Sequence, residues 1–99
     1  NDYAGTPFVK KCVYADGKLA LTVARCEQLK LNGKAVMEVT TENGSKQVEL
    51  HADNLDKNKI VINLDEKPQE VSYAYANFTA NIGLYNELDY PVSPFKIRL

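Results

Sequence analysis

Histidine occurs once in this 99-residue chain, at His51, and no Gly-x-Ser-x-Gly or comparable nucleophile turn is present. A hydrolytic serine or cysteine needs a base within hydrogen-bond reach, itself oriented by a third group. One imidazole without such a turn excludes a self-contained triad of that kind. His51 shares strand parity with Gln47 and Glu49, opposite Val48 and Leu50, so it is expected to face solvent or a neighbouring domain. An excess of one charge is also lacking: Lys+Arg 12 against Asp+Glu 13 leaves a net charge of −1. No general field draws in nucleic acid or an anionic surface, and neither nucleic acid nor membrane is expected as a partner. Apolar runs extend only a few residues, far short of the ~20 needed to cross a bilayer. The chain starts without a basic segment leading into an apolar one, and without methionine; the expectation is a piece of a longer polypeptide, with no secretion leader in this stretch.

Cysteine is scarce as well, with only Cys12 and Cys26. A bridge between them would remove about 3 kcal/mol of unfolded-chain entropy, whereas the plainer reading is two buried small apolar side chains. Two thiols at this spacing with one distant imidazole do not form a metal set. Neither metal nor cofactor is expected. Helical periodicity is missing throughout.

What the chain does have is period-two alternation. Residues 7–14 read as a strand in which Phe8, Cys12 and Tyr14 share a parity. Asp16-Gly17 supplies the positive φ of a tight hairpin turn, and residues 18–24 return with Leu19, Leu21 and Val23 on one face. Leu29 and Leu31 alternate next, and Asn32-Gly33 reads as a turn of the chain. Residues 35–41 form a strand, Glu42-Asn43-Gly44-Ser45 a turn, and residues 46–51 the return with Val48 and Leu50 inward. Residues 52–58 read as a polar loop, 59–64 as a strand with Ile60 and Ile62 on one face, and 65–69 as a connection holding Pro68. Strand-sized runs with turns about every 8–12 residues are the pattern of an antiparallel sandwich or partial barrel. The fold class is therefore all-β, an Ig-like or jelly-roll-like antiparallel sandwich, with residues 1–6 as a linker from an upstream domain and 7–99 as one domain.

The tail departs from this pattern. Alternation of Val71, Tyr73 and Tyr75 against Ser72, Ala74 and Ala76 gives a strand, after which the chain turns Asn-rich and irregular. Pro91 and Pro94 each pin φ and remove a backbone donor, so a surface strap is expected there rather than a central strand or a helix.

Three short motifs in this tail, in order, resemble the C-terminal end of sialate O-acetylesterase-like carbohydrate esterases. Tyr73-Ala74-Tyr75-Ala76-Asn77 stands where that family has an aromatic run of the RYAW type, Leu84-Tyr85-Asn86 matches its NLYN, and Pro91, Ser93, Pro94 and Phe95 match its LPASPF. Ser72 stands in place of the family's usual Arg, Tyr75 in place of Trp, and Asp89-Tyr90 in place of Gly-Leu. Upstream, Thr6-Pro7, Asp16-Gly17-Lys18, Met37-Glu38-Val39 with Glu42-Asn43-Gly44, and Lys59-Ile60-Val61-Ile62 follow in the family's order. The resemblance implies the β-domain that follows the catalytic domain: non-catalytic, packed on its catalytic partner, secreted or periplasmic. The motif residues Tyr73, Tyr75, Asn77, Leu84, Tyr85, Asn86, Pro91, Ser93, Pro94 and Phe95 carry a structural expectation, with Tyr85 and Phe95 as anchors of the strap.

Other candidates have two readings each. Asp53 and Asp56 sit in an acidic loop that invites calcium, but Lys57 opposes it and the spacing lacks the D-x-D-x-D-G pattern, so a solvated turn is preferred. Tyr73, Tyr75, Phe78, Tyr85, Tyr90 and Phe95 would make a carbohydrate platform if exposed, and the alternative function is an independent carbohydrate-binding or adhesion module. If buried, they hold irregular chain against a sheet. Asn77-Phe78-Thr79 and Asn43-Gly44-Ser45 fit the glycosylation pattern; Asn43 is expected to be exposed and Asn77 packed.

Overall fold

Leu19, Leu21 and Val23 alternate with Lys18, Ala20 and Thr22, and in a computed structural model of the chain this run becomes an interior strand with all three apolar residues fully buried. The structure describes residues 6–74 and 82–99. Strand β1 (Phe8–Ala15) and β2 (Lys18–Ala24) form a hairpin closed by Asp16 at φ 54 and Gly17 at φ 75. Two positive φ values in a two-residue loop match the right-handed twist of the flanking strands. The other edge of β2 pairs with β6 (Lys59–Asn63), which in turn pairs with the two-residue β5 (Leu55–Asp56).

The second layer is built on the longest strand, β3 (Lys30–Thr41), which pairs with β4 (Gly44–Glu49) along one edge. Its other edge is shared: Met37–Thr40 pairs with β7 (Glu70–Tyr73), and Lys30–Ala35 pairs with β8 (Ile82–Tyr85). β7 then carries β9 (Phe95–Arg98) on its far side. The two sheets run β1-β2-β6-β5 and β4-β3-β7-β9, with β8 joined to β3. All pairings are antiparallel, giving the all-β sandwich expected from the alternation. Between the sheets lies one apolar cluster that draws Leu19, Leu21, Val23, Ile60 and Ile62 from the first layer and Met37, Val39, Val71, Tyr73 and Phe95 from the second. The radius of gyration is 12.8 Å, close to the value of about 13 Å for 100 compact residues.

Four local expectations change. A register shift between Val9 and Lys11 inverts the parity of β1, so Val9 packs with Cys12 and Tyr14 while Phe8 is 42% exposed under the Arg25 guanidinium, 5.6 Å from its ring. A bulge inserts one residue, and period-two alternation cannot survive it. Asn32-Gly33 does not reverse the chain; Gly33, at φ 91, is a bulge inside β3 where two extra residues separate Leu31 and Ala35. The 52–58 segment holds a single 3₁₀ turn (Ala52–Asn54) and β5 rather than plain loop. β7 ends at Tyr73 and Ala74 turns at φ 55; residues 75 and 76, which the alternation puts in the same strand, lie outside the described residues. The tail, finally, is irregular only between its ends, because β8 and β9 are true sheet members. Pro91 and Pro94 both precede β9, so neither ring interrupts its ladder.

Candidate functional site

The described motif residues of the tail gather around β7, β8 and β9. Tyr73 ends β7 and Phe95 begins β9; they face each other in register and their rings stack at 5.6 Å with 25° between planes. The Leu84 backbone N–H donates to the Tyr73 hydroxyl at 3.1 Å, in a buried setting. Tyr73 thus serves two strands, packing on β9 with its ring and receiving β8 with its oxygen. Burial pushes its phenol up to about 12, an effect reduced by the Leu84 N–H and reinforced by Tyr85. Gly83 lies beneath the bulge of β3, where a Cβ would meet the Asn32 carbonyl oxygen at 2.7 Å. No side chain fits that approach, so the β3–β8 contact requires glycine at this position.

Asn86 follows β8 and is the one fully buried polar side chain among the described residues. Its Nδ2 donates to the Arg25 carbonyl at 3.0 Å, while Oδ1 accepts the N–H groups of Leu88 at 2.9 Å and Tyr90 at 3.0 Å. Only an amide both donates and accepts in this way; an aspartate would face the Arg25 carbonyl oxygen with like polarity. The backbone closes the same loop, with the Asn86 N–H on the Tyr90 carbonyl and the Asp89 N–H on the Asn86 carbonyl. Beside it, one carboxylate oxygen of Glu87 accepts the N–H groups of Glu27 at 2.8 Å and Gln28 at 3.2 Å. The Glu27 N–H first, then further backbone donors and the Lys30 charge, hold that carboxyl below its usual range against some desolvation. Lys30 pairs with Asp89 at 2.6 Å on the exposed side.

The Pro-containing run returns over this knot. Tyr85 bridges to Pro91, the Val92 N–H donates to the Leu84 carbonyl at 3.0 Å, and the Ser93 N–H donates to the Pro7 carbonyl at 2.9 Å. The Ser93 and Thr6 hydroxyls are 2.8 Å apart. Leu84 and Val92 are buried, Tyr85 and Ser93 half-buried, and Pro91 and Pro94 exposed. The strap is therefore pinned to the first described residues of the chain. Tyr75 and Asn77, together with Phe78, lie outside the described residues. Tyr73 at 1% exposure and Phe95 at 9% belong to the core and cannot stack on a sugar; of the remaining described tail aromatics, Tyr90 is the exposed one.

The other candidates lie elsewhere. His51 is exposed; its backbone N–H donates to the Asn54 side chain at 2.8 Å, and among the described residues no serine or cysteine is hydrogen-bonded to its ring. Asp53 and Asp56 are exposed, and among the described residues no three His, Cys, Asp or Glu side chains gather closely enough to hold a metal ion. Cys12 and Cys26 are free and half-buried. Burial raises the Cys12 thiol; burial and then the Glu87 charge raise Cys26 to about 11, against a lowering by the Gln28 N–H. Both remain protonated, poorly nucleophilic thiols at neutral pH. Asn43 sits exposed in the β3–β4 turn, where its side-chain amide donates to the Glu66 carboxylate.

Sequence reasoning overlooked Gly83 and Glu87. Nothing local marks either; each matters through a segment some fifty to sixty residues distant in sequence, Asn32 for the one and Glu27 for the other. Asn86 carried a signal in its motif, but its role as the hub of the turn was not apparent.

Comparison with described protein families finds no match, and comparison with curated proteins finds none either. Among solved structures, the chain is similar to a carbohydrate acetylesterase from Xanthomonas citri, with a TM-score of 0.75 and 19% sequence identity. The likeness covers 93% of this chain and 22% of that one. At that identity the likeness shows the fold, shared with about a fifth of a larger protein.

Proposed function

We propose that this chain is the non-catalytic C-terminal β-domain of a sialate-type carbohydrate O-acetylesterase, packed on and supporting a catalytic domain that precedes it. The observation that carries the reading is the fold match to one segment of a carbohydrate acetylesterase. Its support is independent of the Leu84-Tyr85-Asn86 and Pro91–Phe95 motifs, which resemble the end of the sialate esterases. In this reading residues 1–6 are the linker, 7–99 the domain, and the acetyl-ester chemistry belongs to a serine of the preceding domain. In this reading the protein is secreted or periplasmic, as the resemblance to the family implies. Burial raises the Cys12 and Cys26 thiols, and among the described residues no serine or cysteine is hydrogen-bonded to the His51 ring.

The test compares residues 1–99 with the natural polypeptide that contains them, using 4-nitrophenyl acetate and 9-O-acetylated sialic acid as substrates. The longer polypeptide is expected to release acetate from both, and the isolated chain to match buffer. Turnover by the isolated chain that disappears in His51→Ala overturns the reading.

A further inference from the structure

Ala74, Ile82, Pro91, Val92 and Pro94 line an apolar groove of about 260 Å³, with Thr6 at its rim. Ile82 is 37% exposed, and Pro91 and Pro94 are exposed beside it. The walls of the groove are held in place by backbone hydrogen bonds. The Val92 N–H is bound to the Leu84 carbonyl, the Ser93 N–H to the Pro7 carbonyl, and proline rings have no rotamers to lose on docking. A rigid apolar pocket with a polar rim has the make-up of an interface centre, where one large anchoring side chain supplies most of the affinity.

The covalent path determines what can reach it. Thr6 lies on the groove rim, hydrogen-bonded to Ser93. Five residues precede it, and at a maximal 3.3–3.6 Å per residue their reach is roughly 18 Å. Any domain joined upstream of Asn1 is thus tethered within roughly 18 Å of the groove, at a high effective concentration. A second groove among the described residues, lined by Glu42, Glu66, Lys67, Pro68, Gln69 and Leu99, carries charged side chains.

We propose that the Ala74–Ile82–Pro91–Pro94 groove is the docking surface for the domain joined upstream of Asn1, and that this domain seats an aromatic or branched aliphatic side chain in it. The inference rests on the proposed function above and adds the location and chemistry of the contact. It makes the strap a connector: the turn around Asn86 holds the walls of the groove, and the Thr6–Ser93 contact brings the linker to its rim.

Hydroxyl-radical footprinting of the natural polypeptide and of residues 1–99 tests it, with oxidation read at Ile82, Pro91 and Pro94 and with Val13, 43% exposed on β1, as the reference. The expected result is severalfold lower oxidation of the three groove residues in the longer polypeptide, with Val13 unchanged. Equal labelling of the groove in both, where a hydrolase domain does precede Asn1, overturns the docking surface and leaves the proposed function standing. Equal shielding of the three groove residues in both also overturns it. A natural polypeptide that begins at Asn1 removes the proposed function and this inference together. In the longer polypeptide, Ile82→Asp is expected to restore labelling of Pro91 and Pro94 towards the level of the isolated chain, and an unchanged level overturns the proposal.

Discussion

Strand β2 and the tail from Ile82 to Arg98 both send side chains into the core, yet they are held by different forces. β2 contributes Leu19, Leu21 and Val23 to the core and pairs continuously with β1 on one edge and β6 on the other. The tail makes two strands of four residues and joins them through a turn whose geometry depends on one amide side chain. In β2 the stabilisation is spread over apolar area, at roughly 25 cal/mol per Å². In the tail it is concentrated in directional bonds at Asn86, Tyr73 and Ser93. A distributed core tolerates small errors, whereas a polar knot fails when one partner is removed, because each orphaned donor keeps its desolvation penalty.

The contrast is sharpest in a pair of truncations. Leu21→Ala, at a site with no exposure, is expected to lower the unfolding free energy by about 2–5 kcal/mol, read from urea melts at unchanged m. Protection against hydrogen exchange should fall across both sheets together. Asn86→Ala is expected to cost about 2–3 kcal/mol, since the Leu88 and Tyr90 N–H groups and the Arg25 carbonyl lose their partner. Here exchange should rise first in residues 84–92 with the β1–β2 hairpin still protected. Uniform loss of protection in Asn86→Ala would erase the distinction between the two regions.

Tyr73 joins the regions and gives a smaller effect with a pH signature. Tyr73→Phe keeps the ring stacked on Phe95 but leaves the Leu84 N–H without its acceptor, for an expected loss of about 1–2 kcal/mol. The folded phenol is raised to about 12 from an ordinary 10.0. A group raised on folding contributes stability that is full below its unfolded value and is lost as pH climbs through its folded one. Stability of the native chain should therefore fall between about pH 10 and 12, and Tyr73→Phe should flatten that decline. An identical alkaline profile for both chains would separate Tyr73 from the effect.

The hairpin of β1 and β2 was readable because each of its determinants is local. Asp16-Gly17 accepts two positive φ values, and Leu19, Leu21 and Val23 recur at the strand period. The same logic misplaced Phe8, since the bulge between Val9 and Lys11 leaves no mark in the composition of β1. Asn32-Gly33 has the residues of a reversing turn, yet both sides of it pair within one sheet, so the glycine became a bulge in β3. At the candidate site, the order of the Leu84-Tyr85-Asn86 and Pro91–Phe95 motifs was visible, but the stack of Tyr73 on Phe95 and the bond from Ser93 to Pro7 join segments too far apart for local pattern to register.

By itself, the sequence determined an all-β chain with its main hairpins and its inward faces, because alternation and turn chemistry act over a few residues. Only the tertiary structure decided where the tail goes. Leu31 and Ala35 had to present a free edge for β8, and Gly83 had to pass under the Asn32 carbonyl. Asn86 had to find Arg25, 61 residues earlier in the chain, before the strap could close. Those contacts form after distant segments have met, and no window of neighbouring residues encodes a meeting of that kind.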